Sequence, residues 1–244
     1  LRGHFLCLDR WGQTTDAEAK AGVPYHGEAP RIHWRILERP TKIDGKVICT
    51  MGCELPIAGL EVRRRIRLDA NQAVFTVDEG VTNTKKLGRI YNMVQHPTIA
   101  GSFLDDATLV DTNAQHGFLQ EGPLPTSRKS AAKWPTILIE GNKVDLRHFN
   151  NSSKDITGSD VSSFVFDDAD EYGWCTASTA PVGLLFGYLW TTEDYPWLNM
   201  WRYIHEGTIR ARGLEFGTTG YHQPFPALVK VGTLLDQRLY EYID

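Results

Sequence analysis

The sequence predicts an all-β protein, a large antiparallel sandwich, and three observations predict it. Between residues 32 and 95, β-rich segments follow one another with only short breaks of turn chemistry. Apolar and polar residues alternate with a period of two, as in Ile66-Arg67-Leu68 and Val74-Phe75-Thr76-Val77, where β-branched and aromatic side chains recur. No helical hydrophobic period is sustained for long.

Taken in order, the first block holds strands at 32–38, 47–55, 60–68, 73–83 and 88–95. Asp44-Gly45, residues 56–59 and residues 69–72 supply the turns. Strands joined so closely form an antiparallel meander. Within 60–68, neighbouring side chains point to opposite faces, so Arg63 and Arg65 are expected in water and Arg64 inward or paired. Residues 112–160 are polar and rich in Pro, Ser, Lys and Asn. They read as long loops with two short strands at 136–140 and 143–146. A second block holds strands at 162–166, 173–180, 182–191 and 199–203, and ends on one at 228–231. Residues 232–242 form a helical turn or a last strand.

Bulk properties narrow the function. The 244 residues are 41% hydrophobic and 23% charged, enough to bury a sizeable core. Net charge is -4, and Arg63-Arg64-Arg65 is the only basic run, so the stripe that tracks phosphate backbones is missing and no nucleic-acid partner is expected. No apolar run approaches the roughly 18 residues of a membrane helix, so no membrane partner is expected either. Cys49 and Cys53 would share a strand face, too far apart for an easy disulfide, and no second pair completes a zinc site. With Cys7 and Cys175 they read as free thiols, which favours a reducing, cytoplasmic compartment. The sequence leaves the oligomeric state open.

Four segments, in this order, carry a resemblance. Leu1-Arg2-Gly3-His4 leads through Asp9-Arg10 to Trp11-Gly12; Tyr25-His26-Gly27-Glu28-Ala29 precedes Trp34. Val81-Thr82-Asn83 is followed by Asn92-Met93-Val94-Gln95-His96-Pro97, and Arg212-Gly213-Leu214-Glu215-Phe216-Gly217 comes late. Their order and spacing resemble the galactose mutarotase-like family, in particular its branch related to aldose 1-epimerase and hexose-6-phosphate mutarotase. The resemblance implies one domain over residues 1–244, an antiparallel β-supersandwich with a sugar cleft on one face. It also implies that the family's first strands would precede Leu1.

Interconverting the anomers of an aldose needs a base for the C1 hydroxyl proton and an acid for the ring oxygen. No cofactor and no metal is required. By resemblance Glu215 is the base and His96 the acid, facing each other across the cleft, while His26 and Arg2 hold the sugar. The family's aspartate falls somewhere in Asp167-Asp168-Ala169-Asp170-Glu171, and Asp168 is taken as the candidate. Aromatic rings offer flat platforms to the C–H face of a sugar, and Trp197, beside Pro196 in an expected loop, is the candidate there. Two departures, His4 at a family glycine and Pro30 at a family arginine, with Arg31 one residue late, remove the ground for a phosphorylated substrate. The expected partner is a small sugar or sugar derivative. Alternatives are a non-catalytic carbohydrate-binding protein, a metal-dependent enzyme using His26, His96 and Glu215 with His4 or His222, and a lyase-type enzyme with Tyr203 or Tyr221 as base.

Overall fold

The computed structural model describes residues 3–148 and 157–244. Along the chain the strands run β1 (His4–Asp9), β2 (Arg35–Ile43), β3 (Lys46–Leu55), β4 (Leu60–Asp69), β5 (Phe75–Asn83) and β6 (Arg89–Ala100). Then come β7 (Thr108–Thr112), β8 (His116–Leu119), β9 (Ala132–Lys133), β10 (Thr136–Ile139), β11 (Asn142–Asp145), β12 (Gly158–Val165) and β13 (Tyr172–Thr179). The last are β14 (Leu184–Thr191), β15 (Trp197–His205), β16 (Thr208–Gly217), β17 (Thr233–Leu234), β18 (Gln237–Arg238) and β19 (Glu241–Ile243). Two short α-helices, α1 (Asp16–Lys20) and α2 (Phe225–Val231), and three single turns of 3-10 helix complete the elements of the described residues.

A large sheet in the order β1-β6-β16-β15-β12-β8-β9-β10-β11, with β19 beside β6, is the centre of the molecule. Every ladder in it is antiparallel. Two smaller sheets lie on one of its faces. Against the four-stranded sheet β2-β3-β4-β5, Leu6, Leu8 and Met93 pack with Cys53, Leu55, Leu60 and Val62. Against the three-stranded sheet β14-β13-β7, Phe164, Leu198, Met200, Leu214 and Phe216 pack with Val110, Cys175, Ala177 and Trp190. Each Leu or Phe so buried stabilises the fold by about 1.5–3 kcal/mol.

The opposite face of the large sheet is also covered, by loops and by the C-terminal segment. There Val165, Phe118 and Trp197 pack under Phe225, Leu228, Leu234, Leu235 and Leu239. Coverage on both sides explains why β16 is buried almost throughout rather than on alternate residues. It also explains how a glutamate comes to stand in the middle of the molecule.

Local rules account for the details. Thr15 caps α1, accepting from Glu18 N at 3.2 Å while Glu18 Oε2 accepts from Thr15 N at 2.8 Å. Arg64 pairs with Glu79 at 2.5 Å and lies 4.7 Å over the Trp34 ring, whereas Arg63 meets Glu38 in water, as the alternation requires. The free thiols are also as expected. The strand expected at 228–231 is instead helix α2, preceded by Pro224 and ended by Gly232 at a φ of 75°. A short apolar run reads equally as strand or helix; the proline before it and the glycine after it decide. The polar middle holds more strand than expected, β8 and β9 besides β10 and β11, because at four and two residues they are too short to show an apolar alternation.

Close approach between β8 and β12 gives a test of the core. A Cβ on Gly117 would stand 2.3 Å from the Phe164 ring and from Ser163 O, while one on Gly80 would meet nothing within 4 Å. Gly117→Ala is expected to lose about 1–3 kcal/mol of stability. Gly80→Ala should stay within about 0.5 kcal/mol of wild type. Denaturant midpoints of the two variants check the pair.

Candidate active site

Six strands each bring one residue to a single row across the covered face of the large sheet. Phe5 on β1 stands opposite His96 on β6. On the other side, Asn199 on β15 stands opposite Glu215 on β16, Ser163 on β12 opposite Asn199, and Phe118 on β8 opposite Ser163. The register between β6 and β16, with Thr98 against Gly213 and Gln95 against Phe216, sets His96 directly against Glu215. Side chains opposed in this way are nearest neighbours. His96 Nε2 lies 3.0 Å from Glu215 Oε1, the Phe5 ring stacks on the His96 ring at 4.2 Å, and Ser163 Oγ donates to Asn199 Oδ1 at 2.7 Å. Gly213, two residues from Glu215 on the same face, leaves the room: a Cβ there would stand 2.5 Å from Oε1.

Two loops close over this row. The segment after β1 contributes Trp11, whose Nε1 donates to Glu215 Oε2 at 2.7 Å. Gly12 N donates to His26 Nδ1 at 3.0 Å, which fixes the neutral ring with its proton on Nε2. The loop after β16 contributes His222. Its ring sits 4.5 Å from Trp11 and 5.7 Å from His26, and its Nε2 lies 3.2 Å from the Tyr25 hydroxyl. A Cβ on Gly12 would meet that ring at 2.6 Å. A buried polar network holds the second loop to the sheet. Gln120 Oε1 accepts from His222 N at 2.9 Å, and Gln120 Nε2 donates to Ser163 Oγ and to Gly220 O. Asn199 Nδ2 donates to Thr219 O at 3.0 Å.

Burial governs the electrostatics. Glu215 is 1% exposed, and loss of solvent pushes its carboxyl well above the ordinary range, with the Trp11 hydrogen bond acting in the opposite sense. Loss of solvent lowers His96 and His222 to about 4. His26 falls to about 2, from burial first and then from His96 and His222 nearby. Both shifts in the His96–Glu215 pair favour the form in which the proton rests on Glu215 and neither side chain is charged. Among the described residues, no three His, Cys, Asp or Glu side chains converge closely enough to hold a metal ion. Nor is any helix there long and apolar enough to cross a membrane.

Comparison with solved structures bears on this arrangement. The chain is similar to a galactose mutarotase related enzyme from Lactobacillus acidophilus, with a TM-score of 0.60 and 12% identity over 99% of this chain and 78% of that one. It is similar to a galactose mutarotase-like protein from Clostridium acetobutylicum, with a TM-score of 0.58 and 13% identity over 99% and 71%. The chain has the galactose mutarotase-like fold. A candidate aldose 1-epimerase from Klebsiella pneumoniae shares it at a TM-score of 0.56 and 13% identity, over 81% of this chain, which spans about half (48%) of that protein. No family model and no curated protein matches the sequence.

On this galactose mutarotase-like fold the sequence candidates divide. His26, His96 and Glu215 come together, with His96 and Glu215 in contact rather than across a cleft. Trp197 does not join them. It starts β15 instead of lying in a loop, is fully buried, and its Nε1 donates to Arg238 O at 2.9 Å, so it is a core residue with no face for a sugar. Asp168 is exposed, pairs with Arg128 at 2.6 Å, and lines a separate cavity of about 250 Å³ with Asp167, Asp170 and Glu193. Arg2 lies outside the described residues. His4 projects to the other face of the sheet, where its Nε2 meets Gln95 Oε1 at 2.9 Å. The sequence reading passed over Phe5, Gln120, Ser163 and Asn199, and quoted Trp11 only as part of a motif. Gly12 after Trp11 and Gly213 before Glu215 were the visible signals, since both leave space for a site ring or carboxylate.

The histidines make stability depend on pH. The fold holds His26 and His222 neutral down to about 4 or lower, whereas the unfolded chain protonates them near 6.5. The unfolded state therefore binds more protons below pH 6.5, and stability falls from there towards pH 4. His26→Gln is expected to flatten that fall by up to about 1.4 kcal/mol per pH unit. Urea midpoints of both proteins at pH 7 and pH 5 measure it; an unchanged slope counts against a neutral, buried His26.

Proposed function

We propose that the protein interconverts the anomers of an aldose, with Glu215 and His96 acting together as base and acid. The observation that carries this reading is the 3.0 Å contact between the two side chains on adjacent strands, among neutral aromatic and imidazole rings. The two oxygens that must exchange protons, the anomeric hydroxyl and the ring oxygen, are bonded to the same carbon. Acid and base therefore work best side by side.

In the form with Glu215 as carboxylate and His96 as imidazolium, Glu215 takes the anomeric proton. The bond from C1 to the ring oxygen breaks, C1 becomes a carbonyl, and the ring oxygen takes the proton from His96. The pair now holds its single proton on Glu215. After rotation about C1–C2, the open-chain hydroxyl attacks the other face of the carbonyl. His96 recovers a proton from that hydroxyl and Glu215 returns one to the carbonyl oxygen, which restores the starting form. His26, with its remaining proton on Nε2, supplies a hydrogen-bond donor beside His96. The neutral rings favour an uncharged sugar over a phosphorylated one.

A second reading has one observation in its favour. Both carboxylate oxygens of Glu215 are engaged within the protein, Oε1 by His96 and Oε2 by Trp11, as they would be in a protein that binds sugar without converting it. Saturation-transfer NMR on a panel of free aldoses separates the two. A mutarotase accelerates anomer exchange, and Glu215→Gln should lower the rate about 10²–10⁴-fold. Sugar binding with no acceleration in the wild type assigns the protein to the binding class.

A further inference from the structure

The pair of His96 and Glu215 can hold its single proton in two ways, and, on the reading proposed above, only one of them is ready to act. With the proton on Glu215 the pair is an acid and an imidazole, with no charge on either. With the proton on His96 it is a carboxylate beside an imidazolium, base and acid both poised. Burial by itself favours the first form, because a site shielded from water penalises separated charge. The titratable groups around the pair do little to reverse this. They are Cys7 and, on the other face, His4 on β1, with Tyr25, His26 and His222 on the covering loops, all neutral at pH 7.

One contact acts in the other direction. The Trp11 indole N–H is a donor that can never accept, and it is aimed at Glu215 Oε2 at 2.7 Å, the oxygen that His96 leaves free. A hydrogen bond to an ionised acceptor is about twice as strong as one to a neutral acceptor, so this donor favours the carboxylate. The indole has no freedom to turn away. It is 2% exposed, packs with Cys7 and Val94, and meets the His222 ring edge-on at 4.5 Å. Gly12 beside it lacks the Cβ that would displace that histidine. We infer that Trp11 is the positioning residue that draws the shared proton towards His96 and so raises the share of the pair in which Glu215 is the carboxylate.

The experiment is ¹⁵N NMR of histidine-labelled protein, wild type beside Trp11→Phe, at pH 7. Phenylalanine keeps the ring and drops the donor. His96 in the wild type should show shifts displaced from neutral imidazole towards imidazolium, and the variant should lose that displacement. Where exchange of anomers is measurable, kcat of the variant should fall about tenfold for each unit by which the carboxyl rises, with its lower pH limb displaced upward and KM held. Because the histidine spectrum needs no turnover, it reads the role of Trp11 even if no sugar is converted. A His96 spectrum already neutral in the wild type, or identical in the two proteins, overturns the inference. Should Trp11→Phe fail to fold, the wild-type indole proton serves instead. Its shift should follow the ionisation of the pair with pH and lose that dependence in Glu215→Gln; a pH-independent indole proton in the wild type is equally fatal.

Discussion

The site depends on a register. β6 and β16 pair so that Thr98 meets Gly213 and Gln95 meets Phe216, and that alone sets His96 against Glu215. A slip of one residue in β16 would turn Glu215 into the core between the sheets, beside Leu198 and Met200, and carry Leu214 and Phe216 to the opposite face. The hydrophobic packing of one face thus specifies the chemistry of the other. The buried carboxylate is tolerated because each of its oxygens has a fixed partner, which is the condition for keeping such a group away from water.

The covering loops extend the same logic. Gln120, Ser163 and Asn199 are polar side chains beneath them, and each finds its partners within the network. A network satisfied throughout fixes a unique arrangement, whereas a half-satisfied one would cost more than an apolar core. Here the network leads to one backbone amide, that of His222, and so sets where that ring stands over Trp11.

Much of the architecture was legible in the sequence because it follows from alternation and turn chemistry. β3, β4 and β5 lie close to where Asp44-Gly45 and the breaks after them placed strands. The short strands at 136–139 and 142–145 were legible for the same reason. The helix at Phe225–Val231 was not, since seven mostly apolar residues carry no decisive period. In the site, His26, His96 and Glu215 were legible through the motifs that hold them. Trp197 and Asp168 were misleading because residue type alone does not tell a sugar platform from a core indole, or a ligand carboxylate from a solvated turn. Direct contact between His96 and Glu215 lay beyond sequence reading altogether. It arises from pairing between strands more than a hundred residues apart, and no local pattern records which residue faces which.

That row across the sheet has a consequence for how the protein comes to exist. It draws on residues 5, 96, 118, 163, 199 and 215, so nearly every long-range ladder must be in place before base, acid and support stand together. Contacts of such wide sequence separation are the slow ones to form, because chain entropy must be lost before they repay it. During synthesis β16 emerges after the other five strands of the row. The surroundings of Glu215 are therefore a late property of folding, absent from every partly assembled form and present only once the sheet has closed around it.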